Sequence, residues 1–172
     1  SSISAFRSHY HKKVSINTAY PVSHGALRME SVGFFDKPLR SKELDHAKNL
    51  LKEGLDQGSI GLATGMSYHP NAWSDTEELI ELCKVVREKD GVYITHLRDV
   101  NPERGFGGGG IPEALEIAKR SGVRVHFSHT RTSAENAGQV SKVLELIDKA
   151  KAEGVNCTLE LYPYPTGSSF LL

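Results

Sequence analysis

The sequence predicts an α/β fold made of parallel βα units, and three observations carry that prediction. Short apolar or β-branched runs alternate with amphipathic stretches of helical period along most of the 172 residues. A helix-length crossover separates consecutive runs, which brings the chain back in the same direction each time. Histidines, arginines and hydroxyls collect just after the runs, where strands hand over to loops.

The expected strands are residues 14–22, 59–64, 91–95, 123–128 and 156–162. The second and third are mostly apolar, as expected of strands covered by helices. The first helix follows Ser41, carries Leu44, Ala47, Leu50, Leu51 and Leu55, and stops near Gly58. In the next, Ser74 and Glu77 have capping-box spacing, and Leu79, Leu82, Cys83 and Val86 share one face. A third has Pro112 in its first turn, Ala114, Leu115 and Ala118 inward, and Gly122 as its stop. The fourth runs from about Ala137 through Val140, Val143, Leu144 and Ile147 to Gly154. The four glycines at 107–110 read as a flexible connector into the Pro112 helix.

Five βα units are too few to close an eight-stranded barrel. Residues 1–172 are therefore expected to form one partial domain of a larger barrel, with its first and last strands outside the chain. An open five-stranded sheet is the alternative. Residues 1–13 read as the tail of a preceding helix.

Bulk properties narrow the function. The 21 basic and 21 acidic residues cancel, with no basic stripe, which argues against nucleic acid and anionic membrane as partners. No run approaches a membrane span, and no signal peptide opens the chain. Cys83 and Cys157 lie far apart in apolar surroundings, which fits a reducing compartment. The expectation is a cytoplasmic, soluble protein.

The chemistry collects at the strand ends. There stand Ser23-His24, Thr64-Gly65-Met66-Ser67-Tyr68-His69, Thr95-His96-Leu97-Arg98-Asp99, Ser128-His129-Thr130-Arg131 and Tyr162-Pro163-Tyr164. This is the face on which α/β active sites form. Alternation places His96 with Ile94 and Val92, and His129 with Phe127 and Val125; His126 then faces the helices. Alone, either His96 or His129 reads as a hydrogen-bonded core residue. As a pair at matching strand ends they read as metal ligands, since neutral imidazoles from neighbouring strands converge on one zinc. His9 and His11 form an H-x-H beside Lys12 and Lys13 with no strand leading in, and His46 lies on a polar helix face. His69, in a loop beside Tyr68 and Pro70, reads equally as a residue near a substrate or as turn structure, and neither cysteine reads as a ligand.

The segment GLATGMSYHPNAWSDTEELIELCKVVREKDGVYITHLRD resembles a region of the D-aminoacylases, amidohydrolases with a STGL-Y-P-like loop, a TEEL helix and a TH-x-R strand end. VSHGALR, VRVHFSHT and LELYPYPTGSS are similar to that family's GHG-x-LR, SH and YPY segments, in the same order. The resemblance implies a TIM-type (β/α)8 barrel, zinc (one or two divalent ions) and hydrolysis of N-acyl-D-amino acids. By motif match it makes His96 and His129 ligands of the tightly held metal, and Tyr162 and Ser168 substrate contacts. Arg131 stands where lysine is frequent in the family; with Arg98 it is expected to hold the substrate carboxylate. Asp99 or Glu103 matches an acidic position after TH-x-R, and His24 matches a motif position of structural character.

The family's H-x-H, bridging cysteine and catalytic aspartate have no match, so no catalytic residue is expected within the segment, which alone should bind metal weakly and not turn over. Two other readings stay open: a cyclic-amide hydrolase of the dihydroorotase or hydantoinase kind, and a non-catalytic ligand-binding barrel.

Overall fold

The structure is a computed structural model and describes residues 2–132, 137–164 and 166–167. In chain order its elements are α1 (Ile3–Ser8), β1 (Val22–Ser23), α2 (His24–Val32), α3 (Ser41–Asp56), β2 (Gly61–Gly65), α4 (Thr76–Glu88), β3 (Val92–His96), α5 (Gly110–Ser121), β4 (Arg124–Thr130), α6 (Val140–Ala152) and β5 (Cys157–Leu161). Short 3-10 turns lie at Asn71–Trp73, Pro102–Arg104 and Phe106–Gly108.

The strands form one parallel sheet in the order β1-β2-β3-β4-β5. Strand order that never reverses is barrel topology, whereas an open doubly wound sheet needs a switch point. One face of the sheet is covered. Leu62, Tyr93, Val125 and Cys157 align across it by register and are almost wholly buried, with Leu79, Leu82, Cys83 and Val86 of α4 and Ala114, Ile117 and Ala118 of α5 in the same core. The polar atoms in this layer are satisfied: Thr64 Oγ1 lies 3.1 Å from the Tyr93 hydroxyl and donates to Thr95 Oγ1 at 3.0 Å. The opposite face carries Ala63, Val92, Ile94, His126 and Thr158, and is only partly covered or exposed. Among the described residues, no helix is long and apolar enough to cross a membrane.

Five expectations from the sequence need correction. The first strand is two residues long rather than 14–22, because Pro21 offers no N–H and β1 pairs only through Val22↔Leu62 and Ser23↔Ala63. The polar stretch after it is not a strand-end loop but α2, whose His24 and Arg28, one turn apart, are fully buried. Helix α4 is capped by Asp75 and not Ser74: the Asp75 carboxylate accepts from Glu78 N at 3.0 Å. In α5 Ile117 is buried together with Ala114 and Ala118, whereas Leu115 is only partly covered. The glycines are not a loose connector. Gly109 has φ +86°, is buried, and a Cβ there would stand 2.9 Å from Arg98 Cδ, so the loop is packed against the Arg98 side chain.

Candidate metal centre

Strand β3 is regular, so His96 falls on the partly open face with Ile94 and Val92, while Tyr93 and Thr95 point into the helical layer. Beside it Gly65 is the register partner of His96, and a Cβ there would stand 2.9 Å from the Tyr68 ring. That missing side chain lets the loop after β2 fold over the strand end. Ser67 Oγ lies 2.7 Å from His96 Nε2, and the Tyr68 ring centroid is 5.3 Å from that of His96.

His129 reaches the same place by a different route. Val125 and Phe127 are buried against the helices, so strict alternation would send His129 there as well. Instead β4 carries a bulge: Phe127↔Leu159 is followed by Thr130↔Leu161, three residues on one strand against two on the other. His129 takes φ +36°, Ser128 and His129 both stay partly exposed, and Thr130 turns back into the core. The parity argument for His129 was therefore wrong, and that for His126 with it. His126 aligns with Ile94 on the partly open face, its Nδ1 2.8 Å from Thr158 Oγ1.

The two rings meet. His96 Nδ1 and His129 Nε2 are 2.9 Å apart, with ring centroids 4.6 Å apart and planes at 70°. Two nitrogens on one tetrahedral zinc stand roughly 3.3 Å apart given bonds of about 2.0–2.1 Å, so the pair fits a shared ion after a displacement of a few tenths of an ångström. Burial holds the His96 imidazole below its usual pKa, reinforced by neighbouring His129 and Arg131 and opposed by Asp99. That shift favours the neutral imidazole, the form able to bind a metal. Ser67 engages Nε2 and leaves Nδ1 toward His129, the arrangement in which an outer hydrogen bond orients a ligand ring. Ser67 was not singled out from the sequence, although it sits in the strand-end cluster. Among the described residues, no group of three or more His, Cys, Asp or Glu is close enough to hold a metal.

The expected substrate contacts separate. Arg131 is exposed, directly follows the His129 bulge, and stacks its guanidinium over the Tyr162 ring at 5.2 Å. Ser168 lies outside the described residues. Arg98 does not face a substrate space. Its side chain is fully buried, bonded to both Glu113 oxygens at 2.7 and 3.1 Å and to the carbonyls of Ala72 and Ser74 at 3.0 Å each. A guanidinium so engaged ties the loop after β2 to α5, and the expected role at the substrate is corrected to a structural one.

The remaining candidates lie apart from the pair. Asp99 is exposed and acts on His96 only through its charge; Glu103 is exposed on a 3-10 turn. His69 packs on Trp73 with centroids 4.7 Å apart, and His9, His11 and His46 are exposed. His24 is locked inside the fold. Its Nε2 is 2.8 Å from Glu78 Oε1, and the same carboxylate accepts from Arg28 at 2.6 and 2.9 Å and from Leu39 N at 2.7 Å. Both cysteines are buried, and burial raises the Cys83 thiol well above its usual pKa.

Comparison with known proteins shows what the chain is similar to. The chain is 32% identical to the D-aminoacylase of Alcaligenes xylosoxydans xylosoxydans over 158 residues, 91% of this chain and 32% of that protein. The crystal structure of a D-aminoacylase that defines a novel subset of amidohydrolases superposes with a TM-score of 0.83 at 29% identity, over 95% of this chain and 34% of that one. Over nearly its whole length the chain is similar to D-aminoacylases.

Another structure with this fold is N-acyl-D-glutamate deacylase from Bordetella bronchiseptica, complexed with zinc and a phosphonate that mimics the tetrahedral intermediate. It matches with a TM-score of 0.83 and 27% identity over 95% of this chain and 34% of its own. The chain spans about a third of the length of the curated relatives it matches. No family model matches it. An L-hydantoinase shares 15% identity at a TM-score of 0.55, which shows the barrel fold alone.

Proposed function

We propose that this chain contributes five consecutive βα units to the barrel of a metal-dependent hydrolase that cleaves the amide bond of N-acyl-D-amino acids. The observation that carries the reading is the 2.9 Å approach of His96 Nδ1 to His129 Nε2 at two neighbouring strand ends. The named activities of the relatives and the zinc of the deacylase complex support it.

In this reading His96 and His129 hold the metal, and Ser67 sets the His96 ring. The chemistry that zinc supplies when bound is Lewis-acid polarisation of an acyl oxygen and acidification of water. Arg131, steadied by the Tyr162 ring, offers the substrate carboxylate a charge-assisted hydrogen bond and fixes the orientation of the amide. This reading assigns the general base to no described residue. The partner is a small molecule.

The test is deacylation of N-acyl-D-amino acids by the intact protein that contains this chain, with and without His96→Ala or His129→Ala. Loss of at least about two orders of magnitude is expected for removal of a metal ligand. Unchanged rates in either variant end the proposal.

A further inference from the structure

We propose that Glu160 is a positioning residue for the imidazole pair: its carboxylate replaces the ladder acceptor that the β4 bulge takes from His129, and so holds the His129 ring toward His96. The inference rests on the metal reading of that pair.

A bulge leaves its extra residue without a regular ladder partner. Here that residue has backbone of positive φ, +36°, which is uncommon outside glycine. The adjacent strand supplies a partner. Leu159 of β5 is the register partner of Phe127, and Leu161 that of Thr130, so Glu160 lies opposite the inserted residue. Its Oε1 accepts the His129 N–H at 3.2 Å. Its other oxygen stands 3.8 Å from Nε2 of His126, whose Nδ1 is 2.8 Å from Thr158 Oγ1. Thr158 and Glu160 are two apart on β5 and share a face. The His126 ring, hydrogen-bonded to Thr158, therefore stands beside the Glu160 carboxylate on that face.

Glu160 has no other ion pair or side-chain hydrogen bond among the described residues, and its side chain is more than half exposed. Substitution there should leave the core intact.

Three forms of the intact protein test this: the parent, Glu160→Gln and Glu160→Thr. Glutamine keeps an acceptor oxygen at the same reach, whereas threonine suits a strand but falls short of the His129 amide. Zinc affinity is measured by competition with a chromophoric chelator, and exchange of the His129 amide is followed in the metal-free protein. The glutamine form should bind zinc within about threefold of the parent and the threonine form about 10–100-fold more weakly. Only the threonine form should exchange its His129 amide markedly faster. Parent-like affinity and exchange in the threonine form overturn the proposal. Equal loss of affinity in both variants also overturns it, because the charge and not the acceptor then matters. Should the parent take up no zinc, the metal reading fails on its own. Exchange in the metal-free threonine form still decides the role of Glu160: faster supports it, unchanged overturns it.

Discussion

Replacing Arg98 by alanine separates a structural guanidinium from a substrate-binding one. In the folded protein it makes four hydrogen bonds with its side chain fully buried, opposite a Glu113 carboxylate that is 3% exposed. After truncation Glu113 keeps only the Thr76 hydroxyl at 3.0 Å, and the Ala72 carbonyl keeps Asn101 Nδ2 at 3.3 Å. The Ser74 carbonyl loses the bond it receives from Arg98, and the Glu113 charge is left without its counterion. Removing one partner of a buried pair costs about 3–5 kcal/mol, and an orphaned carbonyl about 1–3 kcal/mol within that figure. We expect a loss of about 4 kcal/mol in unfolding free energy, measured by urea denaturation of the intact protein. Replacing both partners, Arg98→Met with Glu113→Leu, should recover much of it, since the uncompensated charge is gone. A loss below about 1 kcal/mol in Arg98→Ala, which is the range of an exposed ion pair, together with a large rise in KM, would return Arg98 to the substrate and refute the buried-pair argument.

Three further outcomes follow from the same geometry. Burial pushes Glu78 upward, but the hydrogen bond from His24, the Arg28 guanidinium and the Leu39 N–H outweigh it and hold its pKa below the ordinary carboxylate value. A depressed folded-state pKa contributes stability above the unfolded value of about 4.5, lost as pH falls through the folded value. Denaturant midpoints between pH 6 and pH 3 should therefore fall less steeply in Glu78→Gln, and parallel curves would contradict this. Gly109→Ala forces a Cβ to 2.9 Å from Arg98 Cδ at φ +86° and should cost about 2–3 kcal/mol. Gly108→Ala, at the same φ with nothing within 4 Å, should cost about 1 kcal/mol, and equal losses would refute the packing role. Arg131→Met should raise KM for N-acyl-D-amino acids about tenfold or more while moving stability by less than about 0.5 kcal/mol, because the side chain is exposed; an unchanged KM removes Arg131 from the carboxylate contact.

The fold was readable in the sequence because its signals are local. Helix α5 announces itself through Pro112 and through Gly122, which takes the left-handed conformation that closes the helix. His96 could be placed on its face because β3 alternates without interruption. His129 could not, since a bulge depends on the register of a neighbouring strand about thirty residues onward. The correct meeting of the rings was thus expected for a partly wrong reason. Helix α2 escaped for a related cause: His24 and Arg28 look like strand-end chemistry until Glu78, fifty residues away, accounts for both. Arg98 was drawn to the substrate by its place after His96, whereas its partner Glu113 lies on another element. Polar residues near a site can be assigned from sequence only to a neighbourhood. Which of them a buried partner has already claimed is decided by tertiary pairing.

The most direct test of the account is anomalous diffraction at the zinc edge from crystals of the intact protein grown with zinc. A single strong peak bonded to both His96 Nδ1 and His129 Nε2, at about 2.0–2.1 Å from each, is the predicted result. Zinc bound elsewhere, with the two imidazoles still hydrogen-bonded to one another, would contradict it.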